Sequence, residues 1–437
     1  MKTTVIGIDL NPKVADQAVV YDRPEHCVMR KKVATEFTAL SQLLNQVRET
    51  TPADNELVVV LEATGMAWLP VSVFFAEQEI PVYRVKGEQT HGLRQFLSKH
   101  VKTDRIDAAA LCKLYYLIPE QLYELDMCKR TQFTLKRWIS RREDYKSCKT
   151  GELNRLQELF RWALPTLSGE AKKLSTKKMQ VVGARLLDYQ SLKRLGKKRF
   201  YEWAKRRNAG LDRTYTDRLF EAAMASRTLY AGRTYVDPAA LREEAQDIIA
   251  HIAAVEQQMK TIERTIQQLS EQFLPDVPLQ TVSGVGSTVE TVIKAYLGDG
   301  SQFAAAEKAE CWLGNIPLVN DSGERQNGKG AKMRKDGPSI PKAYFYIAIE
   351  TARQRDPQIA AHYYKGMVKK GYTHTQAMCS SVNKLLGRVL RVLKTGAPYE
   401  LRDCDGNPVS KQEARAIIKE RYTVPEDIRT QRKRLAA

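Results

Sequence analysis

The chain has 437 residues, with 43% hydrophobic and 28% charged residues, a balance that fits several folded soluble domains and excludes a disordered or fibrous chain. It holds no run of about 18 uncharged apolar residues and opens without a signal-peptide core, so a membrane span is not expected and the cytoplasm, near the nucleoid, is the expected location. The net charge of +19 calls for a polyanionic partner. That charge is uneven. Residues 1–128 hold 14 basic and 17 acidic residues, 129–218 hold 25 and 9, and 219–437 hold 31 and 25. The excess therefore lies in one middle segment, as expected of a surface that neutralises phosphates. The seven cysteines are scattered, with no CxxC spacing, which excludes a zinc ribbon and a disulfide scaffold.

In chain order, residues 3–10 read as a buried strand that ends in an acid. Residues 16–22 and 26–34 alternate as two more strands around the turn Asp22-Arg23-Pro24-Glu25. Helical spacing follows over 36–49, and the β-branched run 57–61 suits a strand covered on both faces. A helix at 66–77, a strand at 80–85 and helices from 87 to 117 complete the first 128 residues. Residues 129–235 read as basic helices dotted with aromatics. From Leu241 to Phe273, apolar residues recur in steps of four and three, the seam of a coiled coil over 236–275. That seam serves either self-association into a dimer or tetramer or a helical hairpin within the chain. Residues 276–400 read as a last helical domain, and 401–437 as a basic tail with a frayed end.

Four carboxylates in the first domain stand apart. Asp9 ends the first strand and Glu62 ends the central run, while Asp104 and Asp107 are three apart and share one helix face. Acids at the carboxyl ends of strands lie where open α/β sheets place their sites. Clustered carboxylates repel one another, and Mg²⁺ or Mn²⁺ relieves that repulsion while leaving room for phosphate oxygens. Each acid also has an ordinary reading, as a helix cap or a surface ion pair. The strand order is that of the ribonuclease H fold.

The motifs Gly7-Ile8-Asp9, Leu61-Glu62-Ala63-Thr64-Gly65 and Lys102-Thr103-Asp104-Arg105-Ile106-Asp107-Ala108 resemble those of the DEDD insertion-sequence transposases, relatives of the Piv-type DNA invertases. The resemblance covers roughly 1–125 and 275–400. It implies an α/β plus all-α architecture: a RuvC-like, ribonuclease-H-like N-terminal domain, a central helical and coiled-coil segment, and a C-terminal helical transposase domain. It implies a DNA-cutting and DNA-joining enzyme in which Asp9, Glu62, Asp104 and Asp107 bind the metal, with DNA as substrate and a structured guide (bridge) RNA as a further partner. Lys102 and Arg105 flank the acids as nucleic-acid contacts.

In the last domain, Gly284-Val285-Gly286 reads as the turn of a helix-hairpin-helix, a phosphate contact through Gly284 and Gly286 or simply a tight turn. Residues 320–337 form a glycine-rich basic loop with Lys329, Lys332, Arg334 and Lys335, cations able to offset charge on a phosphoryl group. A serine in such a loop is ordinarily only a loop serine. The resemblance makes Ser322, in Ser322-Gly323, the nucleophile, with Ser339 as the alternative, and Pro338 and Pro341 read as interrupting the helix that follows. Residues 362–394 interleave Lys, Arg and Tyr, which suits nucleic-acid contact or a solvated amphipathic helix equally. Two rivals remain: a Holliday-junction-type nuclease that works through water with no covalent intermediate, and a non-catalytic RNA- or DNA-binding protein.

Overall fold

The structure is a computed structural model and describes residues 2–11, 15–62, 67–85, 87–97, 104–125, 130–208, 210–230, 236–317 and 337–434. The chain divides into two compact units, Met1–Cys128 and Lys129–Ala437.

The first unit is built on a six-stranded sheet of β1 (Thr3–Asp9), β2 (Asp16–Arg23), β3 (His26–Val33), β4 (Glu56–Glu62), β5 (Val82–Val85) and β6 (Tyr123–Glu124), in the order β3-β2-β1-β4-β5-β6. β1, β2 and β3 pair antiparallel, β1-β4 and β4-β5 pair parallel, and β6 closes the edge antiparallel. β6 is too short for sequence periodicity to reveal. Because strand side chains alternate, the apolar runs of β1 and β4 feed two cores. Ile6, Ile8, Val59 and Leu61 face one way, onto α1 (Phe37–Thr50) and α2 (Trp68–Ala76). Val5, Val58 and Val60 face the other, where α3 (Gly87–Leu97) precedes α4 (Asp104–Leu117), and Ala108, Leu111 and Cys112 of α4 complete that core. Tyr116 at the far end of α4 donates its hydroxyl hydrogen toward the carbonyls of Thr3 (2.7 Å) and Tyr21 (3.1 Å), and burial raises its pKa.

The second unit is helical: α5 (Arg130–Ala163), α6 (Ala171–Leu174), α7 (Gln180–Leu186), α8 (Tyr189–Arg207), α9 (Arg213–Tyr230), α10 (Pro238–Phe273), α11 (Ser287–Leu297), α12 (Ala306–Leu313), α13 (Ser339–Ala352), α14 (Pro357–Tyr364), α15 (His374–Thr395), α16 (Lys411–Arg421) and α17 (Glu426–Arg434). The long helices α5 and α10 run antiparallel as a spine. At one end Leu135 and Ile139 meet Ile262 and Ile266, in a core shared with α11, α13 and α15. At the other, Leu156 and Phe160 meet Ala245, Ile248 and Ile252, in a core shared with α7, α8 and α9. Glu256 of α10 bridges Lys149 of α5 (2.8 Å) and Lys177 (2.7 Å), and their hydrogen bonds hold its carboxyl below the usual range.

Three expectations change. The heptad seam at 236–275 closes on α5 of the same chain, so it gives no support to a dimer or tetramer. The region read as a tail, 401–437, carries α16 and α17, with a capping box of Ser410 and Glu413 and a buried Val424. The prolines near 340 do not delay α13. Pro338 is its N-cap and Pro341 its third residue, where the missing N–H would have had no helical partner. Among the described residues, no helix is long and apolar enough to cross a membrane.

A polar network ties α5 to α13: buried Arg142 donates to the Tyr344 hydroxyl (2.8 Å), which donates to Glu143 (2.7 Å). Nearby in the same unit, Asp356 is fully buried. It caps α14 by accepting from the Ile359 amide (3.1 Å) and also takes the Tyr399 hydroxyl (2.9 Å) and the Arg388 guanidinium. We predict that Asp356→Ala, which strands Arg388 without a counter-charge, lowers stability by about 3–5 kcal/mol. The midpoint of denaturant unfolding measures this, and an unchanged midpoint would disprove it.

Candidate active site

The carboxyl edge of the sheet in the first unit places two of the acids that the sequence singled out, Asp9 and Glu62, side by side. β1 and β4 are parallel neighbours in register, with Ile8 opposite Leu61, so Asp9 and Glu62 leave the sheet side by side. Alternation sets the face. Asp9 follows Val5 and Gly7, and Glu62 follows Val58 and Val60, so both belong to the side covered by α4. Both are half-buried.

Gly7 is what lets α4 lie against this edge. A Cβ at that position would fall 2.3 Å from the Ala108 carbonyl oxygen and 2.7 Å from the Cys112 sulfur. Only glycine admits so close a backbone approach. Asp107, half-buried, immediately precedes Ala108 in the first turn of α4, so the contact at Gly7 brings this aspartate to the half of β1 that ends in Asp9. Asp104 is the first residue of α4, and its side chain, like that of Arg105, lies outside the described residues, as does Lys102. A second glycine shapes the site: a Cβ on Gly87, the first residue of α3, would lie 2.8 Å from Oε1 of Glu62. The Glu62 carboxylate thus rests against the start of α3, where helix amides favour negative charge. Among the described residues, no three His, Cys, Asp or Glu side chains form a ready metal-binding group. The donors themselves, hard carboxylate oxygens, are of the type Mg²⁺ takes.

Ser322, Lys329, Lys332, Arg334 and Lys335 lie outside the described residues, but both ends of their segment are fixed in the second unit. On the entering side, Asn315 donates to the Cys379 carbonyl (2.7 Å) and to Asn383 Oδ1 (2.5 Å), and Asn383 donates to Glu310 (2.8 Å). Burial and Glu307 raise the pKa of Glu310. On the returning side, Gly337 has φ +89° and packs so tightly on the end of α12 that a Cβ would sit 2.7 Å from the Leu313 carbonyl oxygen. Lys342 reaches back to the Gly314 carbonyl (3.2 Å). The segment therefore leaves and returns at one point, the C-terminal end of α12. Ser339 is exposed as the first residue of α13. Asn315, Asn383, Glu310 and Lys342 escaped the sequence reading because they meet across gaps of up to 73 residues.

The Gly-Val-Gly turn has a packing explanation. Gly284 has φ +91°, and a Cβ there would meet the Ala348 carbonyl oxygen at 2.2 Å, so α13 seats on its backbone. Gly286 is the N-cap of α11, but that helix already has an acid in its first turn, Glu290, paired with Lys294 (2.8 Å). What precedes α11 is a single 3₁₀ turn, Leu279–Thr281.

A family model of DEDD transposases of the IS110 type, described as Transposase, matches residues 6–165. A second, described as Transposase IS116/IS110/IS902 family, matches 277–365. The chain belongs to the IS110 family of transposases. It is also similar to the insertion element IS110 uncharacterized 43.6 kDa protein of Streptomyces coelicolor, at 22% identity over 417 residues, covering 92% of this chain and 94% of the relative. The first family match takes in all four acids, and the second takes in the glycine turn and the segment around Ser322.

The two close glycines make separable predictions. Gly7→Ala sets a methyl group against main chain that cannot yield, and loss of folded, soluble protein is expected. Gly87→Ala meets only the end of a flexible carboxylate, so the thermal midpoint stays near wild type; if Glu62 has the catalytic role proposed below, DNA cutting falls at least about tenfold, because catalytic groups tolerate little misplacement. A Gly87→Ala enzyme with full activity would show that the position of Glu62 does not matter.

Proposed function

We propose that this IS110-family transposase cuts and rejoins DNA strands by metal-dependent phosphoryl transfer, with Ser322 as the nucleophile. The observation that carries the reading is the adjacency of Asp9 and Glu62 at the carboxyl edge of β1 and β4, on the face where α4 brings Asp107. The sheet order, three antiparallel strands followed by two parallel ones, is that of the ribonuclease H fold and supports a RuvC-like reading.

Asp9, Glu62, Asp104 and Asp107 would hold Mg²⁺ or Mn²⁺. When bound, such an ion polarises the scissile phosphate and stabilises the charge on the departing oxygen. The chain's own residues do the rest. The Ser322 hydroxyl loses its proton as its oxygen forms a bond to phosphorus. The bond from phosphorus to one sugar oxygen breaks, and that oxygen takes up a proton as a free DNA hydroxyl. The phosphoserine diester conserves the phosphodiester, so attack by another DNA hydroxyl reseals a strand and returns the serine. Lys329, Lys332, Arg334 and Lys335 would counter charge on the phosphoryl oxygens. A structured guide RNA enters this reading through the family alone, and sequencing the nucleic acid that co-purifies with the protein tests it.

Asp9→Asn and Glu62→Gln are expected to abolish cutting while binding persists. Ser322→Ala is expected to abolish the protein–DNA adduct that wild type leaves on a denaturing gel. Cutting by Ser322→Ala with release of a free phosphate end would assign the attack to water, and an adduct lost only in Ser339→Ala would move the nucleophile to that position.

A further inference from the structure

The exposed face of α8 has no role in the chemistry proposed above. The helix carries eight Lys and Arg against one acid, Glu202, and breaks at Gly196, whose φ of +77° makes a fresh start of the turns that follow. Beyond that break the helix is anchored by fully buried Phe200 and Ala204, in the core formed with α7, α9 and one end of the α5–α10 spine. On the opposite side stand Lys198, Arg199, Lys205 and Arg206, all exposed. At 3.6 residues per turn these four fall within about 120° of arc, in two pairs about 10.5 Å apart along the axis.

The neighbouring cations show what a structural role looks like here. Lys197 is held by Glu221 (2.6 Å) and Asp217 (3.6 Å), Arg213 by Asp217 (3.6 Å), and Arg185 by Asp188 (3.4 Å). None of the four has a carboxylate partner among the described residues. Four like charges set this close repel one another unless an anion lies across them. Helix α8 also lies outside both segments matched by the family models.

We propose that this face of α8 is a docking surface for duplex DNA, read through its phosphates and not its bases. About 10.5 Å of duplex axis presents about six negative charges, a match for two pairs of cations. Single strands are the poorer fit, because they are held largely by bases stacking on open aromatic faces. The aromatics of this stretch are already covered: Phe200 is buried, Arg207 lies 4.2 Å and Arg185 5.8 Å from the Trp203 ring, and Arg213 lies 5.2 Å and Lys205 5.6 Å from that of Tyr201. The proposal rests on the reading that the chain works on DNA, and adds where the duplex is gripped away from the site of cutting.

The test uses the full chain with Lys198, Arg199, Lys205 and Arg206 all changed to Gln. A control variant loses the same charge from exposed positions of α16, at Lys411, Arg415, Lys419 and Arg421. Binding to a duplex DNA of arbitrary sequence is followed by fluorescence anisotropy between about 50 and about 200 mM KCl. The α8 variant is expected to bind at least about tenfold more weakly, and its salt slope to fall by about 3 to 4, since each phosphate contact contributes about 0.9. Circular dichroism and the thermal midpoint stay at wild-type values, and the α16 variant binds as wild type does. An unchanged affinity and slope, an equal loss in the α16 variant, or a loss confined to duplex RNA or single strands would each overturn the proposal. Cutting is scored separately on the same DNA: a wild-type protein that binds through α8 and never cuts would leave this surface standing and remove the nuclease reading.

Discussion

The geometry of the first unit turns on one contact, the approach of α4 to β1 at Gly7. With any side chain there, the helix would have to withdraw from the sheet by more than an ordinary packing adjustment, because what it meets first is the main-chain carbonyl of Ala108, with the buried Cys112 sulfur beside it. Withdrawal would open the core of Val5, Val58, Val60, Leu111 and Cys112 and would carry Asp107 away from the strand end that bears Asp9. Folding and the placement of Asp107 near the end of β1 therefore share one constraint. The far end of α4 is pinned independently by Tyr116 on the carbonyls of Thr3 and Tyr21, so the helix is fixed along its length and its first turn is delivered to the edge of the sheet.

In the second unit the equivalent framework is the α5–α10 pair. An antiparallel pair of this length spans two separate cores, one around α11, α13 and α15 and one around α7, α8 and α9. The Arg142–Tyr344–Glu143 network locks the first core onto α5 through α13, the helix that begins where the segment containing Ser322 ends. That segment's entering end is tied to α15 through Asn315, and its returning end to the end of α12 through Lys342. The nucleophile proposed at Ser322 would need such an anchorage, since fixing the two ends of a connection removes most of the positions it could otherwise reach.

Much of this was legible in the sequence, and the limits have physical causes. The strands β1 to β5 and the helices beside them follow from period-two and helical patterning. The acids at Asp9 and Glu62 were visible because they recur after apolar strands in this element order; one strand-end acid alone is a weak signal. The heptad of α10 was equally plain, yet periodicity says only that an apolar stripe must be covered. Whether another subunit or α5 covers it depends on contacts about a hundred residues away. The same holds for Gly284, where the Gly-Val-Gly pattern suited a phosphate contact or a tight turn equally and the backbone of α13 accounts for the glycine. Helices α16 and α17 were missed because α17 buries no residue and α16 only Ala414, so their pattern is close to that of a polar tail.

Electrostatics explains why two unlike units suit one reaction on DNA. In the metal-dependent reaction proposed above, the carboxylates would repel a polyanion and so contribute little to holding the substrate before the ions are in place. Residues 1–128 are net acidic and so offer a polyanion little attraction. Affinity must then come from elsewhere in the chain, and residues 129–218, with 25 basic and 9 acidic residues, are where the sequence concentrates it. Many of those cations are committed to ion pairs that hold the helices together, such as Lys149 with Glu256 and Lys197 with Glu221. The surplus on α8 that has no carboxylate partner among the described residues is therefore a better guide to the proposed binding surface than the total charge, because a cation already neutralised by a carboxylate gains less from meeting a phosphate.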